Sequence, residues 1–364
     1  MPVGLLTDIA ESTQSEIGHA GTLVTAYAIA FATGGIALSF VTASWSRRLV
    51  LFASLAAALL SNLVLAYSND LALLIAVRIA GGSAQGWFVG AAIAVAMSVV
   101  PPDRIGRAVS IVVSGFAAST ALGVPAGVGL ASAYGWHASF LAVSVLVLVV
   151  MSGVAISIPS SIKSPVAPAN NAEQIRHALS PRVLAILAVT MILFAGEYAA
   201  FTYISPFLQE ADRISSETIG WYILGFGIAS ALGSLLGGRV ADANARMAVI
   251  LANLAIPIAI IGLLTFGSST VGSSVMMIAW GVVAVASVPG IQTLVAEAAG
   301  PGRDVAGVLP AAAINVGIAA GSLIGGLSVS AWGLTAPVIV GITLSILVLP
   351  ATILVMQRHV PFTT

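Results

Sequence analysis

The chain has 364 residues, of which 59% are hydrophobic and only 7% are charged, and its mean hydropathy is +1.08. A soluble domain carries about a quarter charged residues, so this composition excludes a water-facing globular protein. Basic and acidic residues balance at 13 each, which leaves no basic surface for nucleic acid, and the lack of cysteine removes disulfides, thiolate metal sites and cysteine nucleophiles. The four histidines are scattered, so neither a metal nor a cofactor is expected. The 37 glycines and 16 prolines fit the same membrane reading, because both residues are more frequent in transmembrane helices than in soluble ones.

From Met1 to Ala20 there is no basic region and no long apolar stretch, and Asp8, Glu11 and Glu16 fall inside it, so it does not read as a signal peptide. A spanning helix needs about 20 apolar residues. Eleven segments qualify: Ala20 to Val41, Leu49 to Ala66, Leu71 to Val100, Ala108 to Tyr134, Ala138 to Ile158, Val183 to Leu208, Thr218 to Gly238, Met247 to Phe266, Val271 to Ala296, Val305 to Ala331 and Leu334 to Met356. Taking alternate connections, eleven lysines and arginines fall on one face and only Arg213 on the other, which predicts a cytoplasmic C-terminus. The Pro/Ser/Asn/Ala-rich stretch 159–182 reads as a cytoplasmic linker. It divides the chain into an N-terminal bundle, 1–158, and a C-terminal six-helix bundle, 183–358.

The halves are related by an offset of about 199 residues. Pro102-Asp103-Arg104 answers Pro301-Gly302-Arg303, Gly34 answers Gly233, and Arg47 answers Arg246. Gly123, Gly127, Tyr134 and Gly135 answer Gly321, Gly325, Trp332 and Gly333 one residue closer. Equivalent spans keep the same orientation, so these are parallel repeats about an axis along the membrane normal. Val183 to Leu208 has no complete partner in the first half, where only Pro2 to Leu6 answers its outer end. The expectation is therefore an all-α membrane protein with eleven full transmembrane helices and a remnant of the first, an N-terminally truncated form.

These residues resemble the major facilitator superfamily in its drug and sugar efflux (drug:proton antiporter) branch. The likeness rests on Met1 to Ala10 at the end of a first helix, on Glu197 to Leu208, similar to the seventh helix of sugar-efflux permeases, and on Asn315 to Gly321, similar to their eleventh. Gly237 to Arg246 is similar to the loop signature between the second and third helices of each half, so Arg239, Asp242 and Arg246 are implied gating residues. The first-half copy has Ala43 in place of the acid. Gly115, Gly123, Pro125 and Gly127 resemble the fifth-helix glycine-proline motif that marks antiporters.

Arg78 and Glu197 are the ionisable residues well inside apolar segments, each costing about 2.5 to 3.5 kcal/mol at mid-bilayer. By the resemblance both stand on cavity-lining helices, one in each half, and they are the expected proton-coupling pair. Burial disfavours the charged form of a carboxylate, which suits Glu197 to take up a proton on one side and release it on the other. Gln85, Trp87, Tyr203, Gln292 and Asn315 are the polar and aromatic candidates for the substrate cavity, against the plainer reading of ordinary packing groups. Glycines at every fourth place, Gly317, Gly321 and Gly325, read as close helix packing.

The function implied is proton-coupled efflux of a sugar or drug-like molecule by alternating access, by a monomer in the inner (plasma) membrane. The alternatives are a facilitator or importer of the same fold, or an inactive truncated membrane protein. No histidine-carboxylate metal set and no serine-histidine arrangement supports an enzyme.

Overall fold

The computed structural model describes residues 2–42, 44–101, 112, 115, 119–158, 171–211, 216–267, 269–307 and 309–357. The regular elements among them are helices. A single turn over Pro2–Leu5 leads into α1 (Leu6–Ser12), α2 (Ile17–Val41), α3 (Arg47–Tyr67) and α4 (Leu71–Ser98). A π-helical turn, Ser119–Gly123, opens α5 (Val124–Tyr134), and α6 (Trp136–Ser157) ends the first half. After α7 (Asn171–Ala178) come α8 (Pro181–Phe201), α9 (Ile204–Ala211), α10 (Ser216–Phe266), α11 (Thr270–Ala284) and α12 (Ser287–Ala299). The short α13 (Arg303–Ala306) precedes α14 (Leu309–Trp332) and α15 (Ala336–Gln357).

Among the described residues, nine helices are long and apolar enough to cross a membrane. At 1.5 Å per residue a straight helix as long as α10 measures about 75 Å, more than twice the hydrocarbon core. The chain resolves this at Asn244, whose backbone leaves the helical region (φ −160°, ψ 95°). Its side-chain oxygen accepts from the Met247 amide at 3.0 Å, which caps the helix that follows. The sequence separates Thr218 to Gly238 from Met247 to Phe266, and Asn244 lies in that gap. The Ala108 to Tyr134 span and the linker lie partly outside the described residues.

Two of the expected spans, each still a single membrane-crossing length, carry a local break in the helix. Val183 to Leu208 breaks at Thr202-Tyr203, and Val271 to Ala296 breaks at Val285-Ala286. Each break falls four residues before a proline, Pro206 and Pro289. A proline offers no amide to the carbonyl four residues back, and its ring clashes with it. Pro257 and Pro350 lie inside helices that run on, so a proline alone does not decide.

The sequence repeat reappears as equivalent contacts. Side chains on Gly82 would meet Tyr27 and Ala30, and on Gly281 would meet Phe226 and Ala229, each set 199 residues further on. Gly34 abuts Ser83 as Gly233 abuts Val282. Asp70 caps α4 by accepting from Ala72 and Leu73, and Ser269 caps α11 by accepting from Gly272. Gly135 and Gly333 both turn the chain at φ 81°, a conformation that glycine adopts without a Cβ penalty.

Leu60, Ile156, Ile258 and Leu347 are among many exposed large apolar residues, as suits helices bathed in lipid. Serines and threonines inside the spans bond back to carbonyls four residues earlier, for example Thr33 to Ile29, Ser144 to Phe140 and Thr190 to Ile186. No hydroxyl so satisfied faces hydrocarbon unpaired.

The halves meet along a seam of α2 with α14, α5 with α10, and the Pro2–Ser12 segment with α9. A Cβ on Gly18 would lie 2.8 Å from the Ser330 hydroxyl and 2.9 Å from the Gly326 carbonyl. Thr25 donates to Ala319 at 3.4 Å. A Cβ on Gly4 would meet Val128 at 2.6 Å and Ile223 at 3.1 Å. These contacts gather at the end of the bundle that carries Gly135 and Gln209, away from Arg47, Arg182, Arg239, Arg246 and Arg303.

Candidate functional site

Glu197 is carried near the end of α8, which is gripped from two sides. On α14, Gly317, Gly321 and Gly325 lie against the carbonyls of Met191, Ala195 and Ala199, a ladder of small residues at intervals of four. On the other side a Cβ at Gly196 would meet Ser345 and Gly341 of α15. This clamp fixes the helix axis beside the carboxylate. Glu197 itself is 3% exposed, and it is the one acidic side chain fully buried among the described residues. Its Oε2 makes no hydrogen bond.

Aromatic rings stand on the same helix end. Phe201 stacks on Phe226 at 4.4 Å between centroids and meets Trp280 edge-on at 5.7 Å, while Tyr198 meets Phe201 at 5.7 Å. Phe226 and Trp280 carry no motif in the sequence, and the only pointer to them is the offset that pairs Phe226 with Tyr27. The Trp280 Nε1 is likewise buried with no partner.

Arg78 occupies α4 in the first half. Its guanidinium carbon lies 3.9 Å from the centre of the Tyr27 ring, and Nε donates to the Leu23 carbonyl at 3.4 Å. A desolvated cation on an aromatic face gains about 2 kcal/mol. Tyr27→Leu is therefore expected to lower stability in detergent by about that amount and Tyr27→Phe by much less. Equal melting temperatures for the two variants would show that the ring face does not hold the cation. At the equivalent second-half positions stand Phe226 and Met277, so the cationic arrangement belongs to the first half alone.

The structure scatters the remaining cavity candidates. Gln85 is exposed, whereas Trp87 is 6% exposed and donates to the Thr42 hydroxyl at 3.0 Å. Asn315 donates to the Ala311 carbonyl on its own helix, and Gln292 is half-buried on α12. Tyr203 is fully enclosed in the seam: its hydroxyl donates to the Ser322 carbonyl at 2.9 Å, and its ring packs with Leu6, Ala10 and Ala20.

The loop residues do converge. Asp242, Asn244 and Arg246 line a cavity of about 570 Å³ with Thr293 and Glu297, while Arg239 is exposed nearby. Nothing in the sequence pattern marks Glu297 for this cluster. In the fifth-helix motif Gly115 is exposed, Gly123 ends the π-helical turn, Pro125 stands in the first turn of α5, and the Gly127 carbonyl accepts from Ser139 at 2.6 Å. Among the described residues no group of three His, Asp or Glu side chains converges on a metal position.

Matching against known families places residues 1–309, and again 186–363, in the Major Facilitator Superfamily. The chain belongs to the Major Facilitator Superfamily. It is a multi-pass helical membrane transporter and not an enzyme. An uncharacterized MFS-type transporter of Bacillus subtilis, YtbD, is 29% identical over 91% of this chain and 85% of its own length. A chloramphenicol resistance protein of Streptomyces lividans is 30% identical over 89% of this chain and 83% of its own. A chloramphenicol efflux pump of Mycobacterium tuberculosis is 26% identical, covering 90% and 81%. In fold the chain is similar to a bacterial homolog of the human lysosomal transporter Spinster, solved inward-facing and unoccupied. The TM-score is 0.78 at 15% identity, over 99% of this chain and 94% of that one. The overlapping stretches 1–309 and 186–363 agree with a superfamily of two related halves.

Proposed function

We propose that this transporter exports a small amphipathic molecule, of the chemical kind its chloramphenicol-exporting relatives carry, in exchange for protons. Glu197 carries the reading: it is a carboxylate enclosed in a span, one oxygen without a hydrogen bond, on a helix clamped from both sides. An ionisable group at such a place marks a proton relay more readily than a packing role. Glu197 on α8 and Arg78 on α4 are the coupling residues, one in each half. The substrate passes between the halves, and Gln85, Gln292 and Asn315, which stand apart in the state described, are the polar groups proposed to meet it during the conformational change. The loop cluster of Arg239, Asp242 and Arg246 with Glu297, and the motif of Gly115, Gly123, Pro125 and Gly127, serve the conformational change.

In this reading the chain makes eleven crossings, because α10 counts twice at Asn244 and the Ala108 to Tyr134 segment counts once. Bundles 1–158 and 183–358 rock about a midplane site as a monomer. The arginine-rich end faces the cytoplasm, so the seam closes the outer side in the state described. The chain has no cysteine, which allows a direct test. A cysteine at Ser164 should react only with reagent supplied from inside, and one at Ser132 only from outside. The reverse pattern would overturn the orientation.

Reconstituted into vesicles, the protein should drive chloramphenicol across the membrane when a pH gradient is imposed and stop when an ionophore removes it. Counterflow that proceeds equally well with no gradient, and ignores one when present, would make it a facilitator instead.

A further inference from the structure

A second cavity, of about 400 Å³, opens at the end opposite the arginine-rich loops. Both halves wall it: Leu5, Thr7, Asp8 and Val128 from the first, and Gln209 and Ile219 from the second. It sits beside the contact of Gly4, Val128 and Ile223, and Gly220 of its wall lies 3.3 Å, by an added Cβ, from the same Val128. The seam therefore forms one side of it. Its size falls in the range of small-molecule sites, where apolar walls and a few placed polar groups are the rule.

Two polar side chains of the first half, Thr7 and Asp8, face this cavity. The Thr7 hydroxyl is buried and makes no hydrogen bond. No cation pairs with Asp8 among the described residues, and its carboxyl is held above the usual range because partial burial strips its water and Glu11 repels it. Leu5, Val128 and Ile219 supply the apolar surface. One negative group, hydrogen-bonding groups at Thr7 and Gln209 and an apolar wall together match one ligand chemistry.

We propose that this cavity is a binding site for a small amphipathic organic cation, its charged head at Asp8 and its apolar part against Val128 and Ile219. It is separate from the Glu197 region, which lies within the span of α8. The proposal rests on the reading above only in placing this end outside, and binding to detergent-solubilised protein depends neither on that placement nor on proton coupling.

The probe is radiolabelled benzyltrimethylammonium, measured by equilibrium dialysis against the full chain, with benzyl alcohol as its uncharged counterpart. The expected result is saturable binding of the cation that Asp8→Asn weakens by at least about fivefold, the scale of a single partly exposed charge contact. Ser132→Phe, at an exposed position of the cavity wall, should abolish it. The proposal fails if the cation does not bind, if Asp8→Asn binds it as wild type does, or if Ser132→Phe leaves binding intact. It fails equally if benzyl alcohol binds as tightly as the cation, which would make the cavity merely apolar.

Discussion

Glu197→Gln is expected to abolish pH-driven efflux, by at least about a hundredfold, while ligand binding and substrate exchange survive. The amide has nearly the shape of the uncharged acid and cannot release a proton, so it fixes the carrier in one of the two forms that coupling needs. Because Glu197 is buried and its Oε2 has no hydrogen bond, the substitution breaks no visible contact. Removing an unpaired ionisable group from a buried site is neutral or stabilising, so the melting temperature should not fall. That separates a loss of coupling from a loss of fold. Glu197→Ala is a poorer probe, since it leaves a void that itself destabilises. Undiminished pH-driven efflux in the glutamine variant would move the coupling role elsewhere and leave Glu197 a structural curiosity.

Gly21→Leu should hold the seam open. A Cβ at this position would overlap the Tyr203 hydroxyl, and would lie 2.6 Å from the ring carbon that bears it. Tyr203 has little room to retreat, because a Cβ on Gly325 would lie 2.8 Å from its ring and one on Gly326 would lie 2.6 Å from its hydroxyl. Tyr203 thus fills a slot made by glycines of both halves. The reporter is a cysteine pair at Gly18 and Ser330, whose side chains come within disulfide reach when the seam is shut. With Gly21 intact the pair should cross-link readily, and with leucine there the rate should drop about tenfold or more, which corresponds to about 1.4 kcal/mol against the closed state. Adding Tyr203→Ala should restore much of the cross-linking, as residues in contact are not additive. An unchanged rate in the Gly21→Leu protein would refute the slot.

Much of this was readable from the chain. Span positions follow from apolar length alone, and the glycine spacing at Gly317, Gly321 and Gly325 gives the α8 to α14 ladder, because a period of four keeps small residues on one helix face. The breaks at Thr202 and Val285 are also marked, by Pro206 and Pro289, although Pro257 and Pro350 show why the mark is ambiguous. The partners of the polar residues are another matter. Trp87 ends on Thr42, 45 residues away, and Arg78 on Tyr27, and neither pairing has a local signal because it depends on how helices α2 and α4 cross. Tyr203 looks like a cavity residue by helix number, and its surroundings in this state are set by Gly21 of one half and Gly325 and Gly326 of the other. Glu297 gains company only when α12 is laid beside the Asn244 break.

The duplicated contacts bear on how such a chain is made. Gly34 with Ser83 and Gly82 with Tyr27 join α2 to α4, and their counterparts join α10 to α11, so each set links segments separated by about 50 residues within its own half. Contacts of short sequence separation form early, and domains generally fold in order of synthesis. The first set can form while the ribosome is still translating the second half, with Tyr27 already beneath Arg78 before Glu197 has left the exit tunnel. The seam, which needs Ser322, Gly326 and Ser330, must await nearly the last helix.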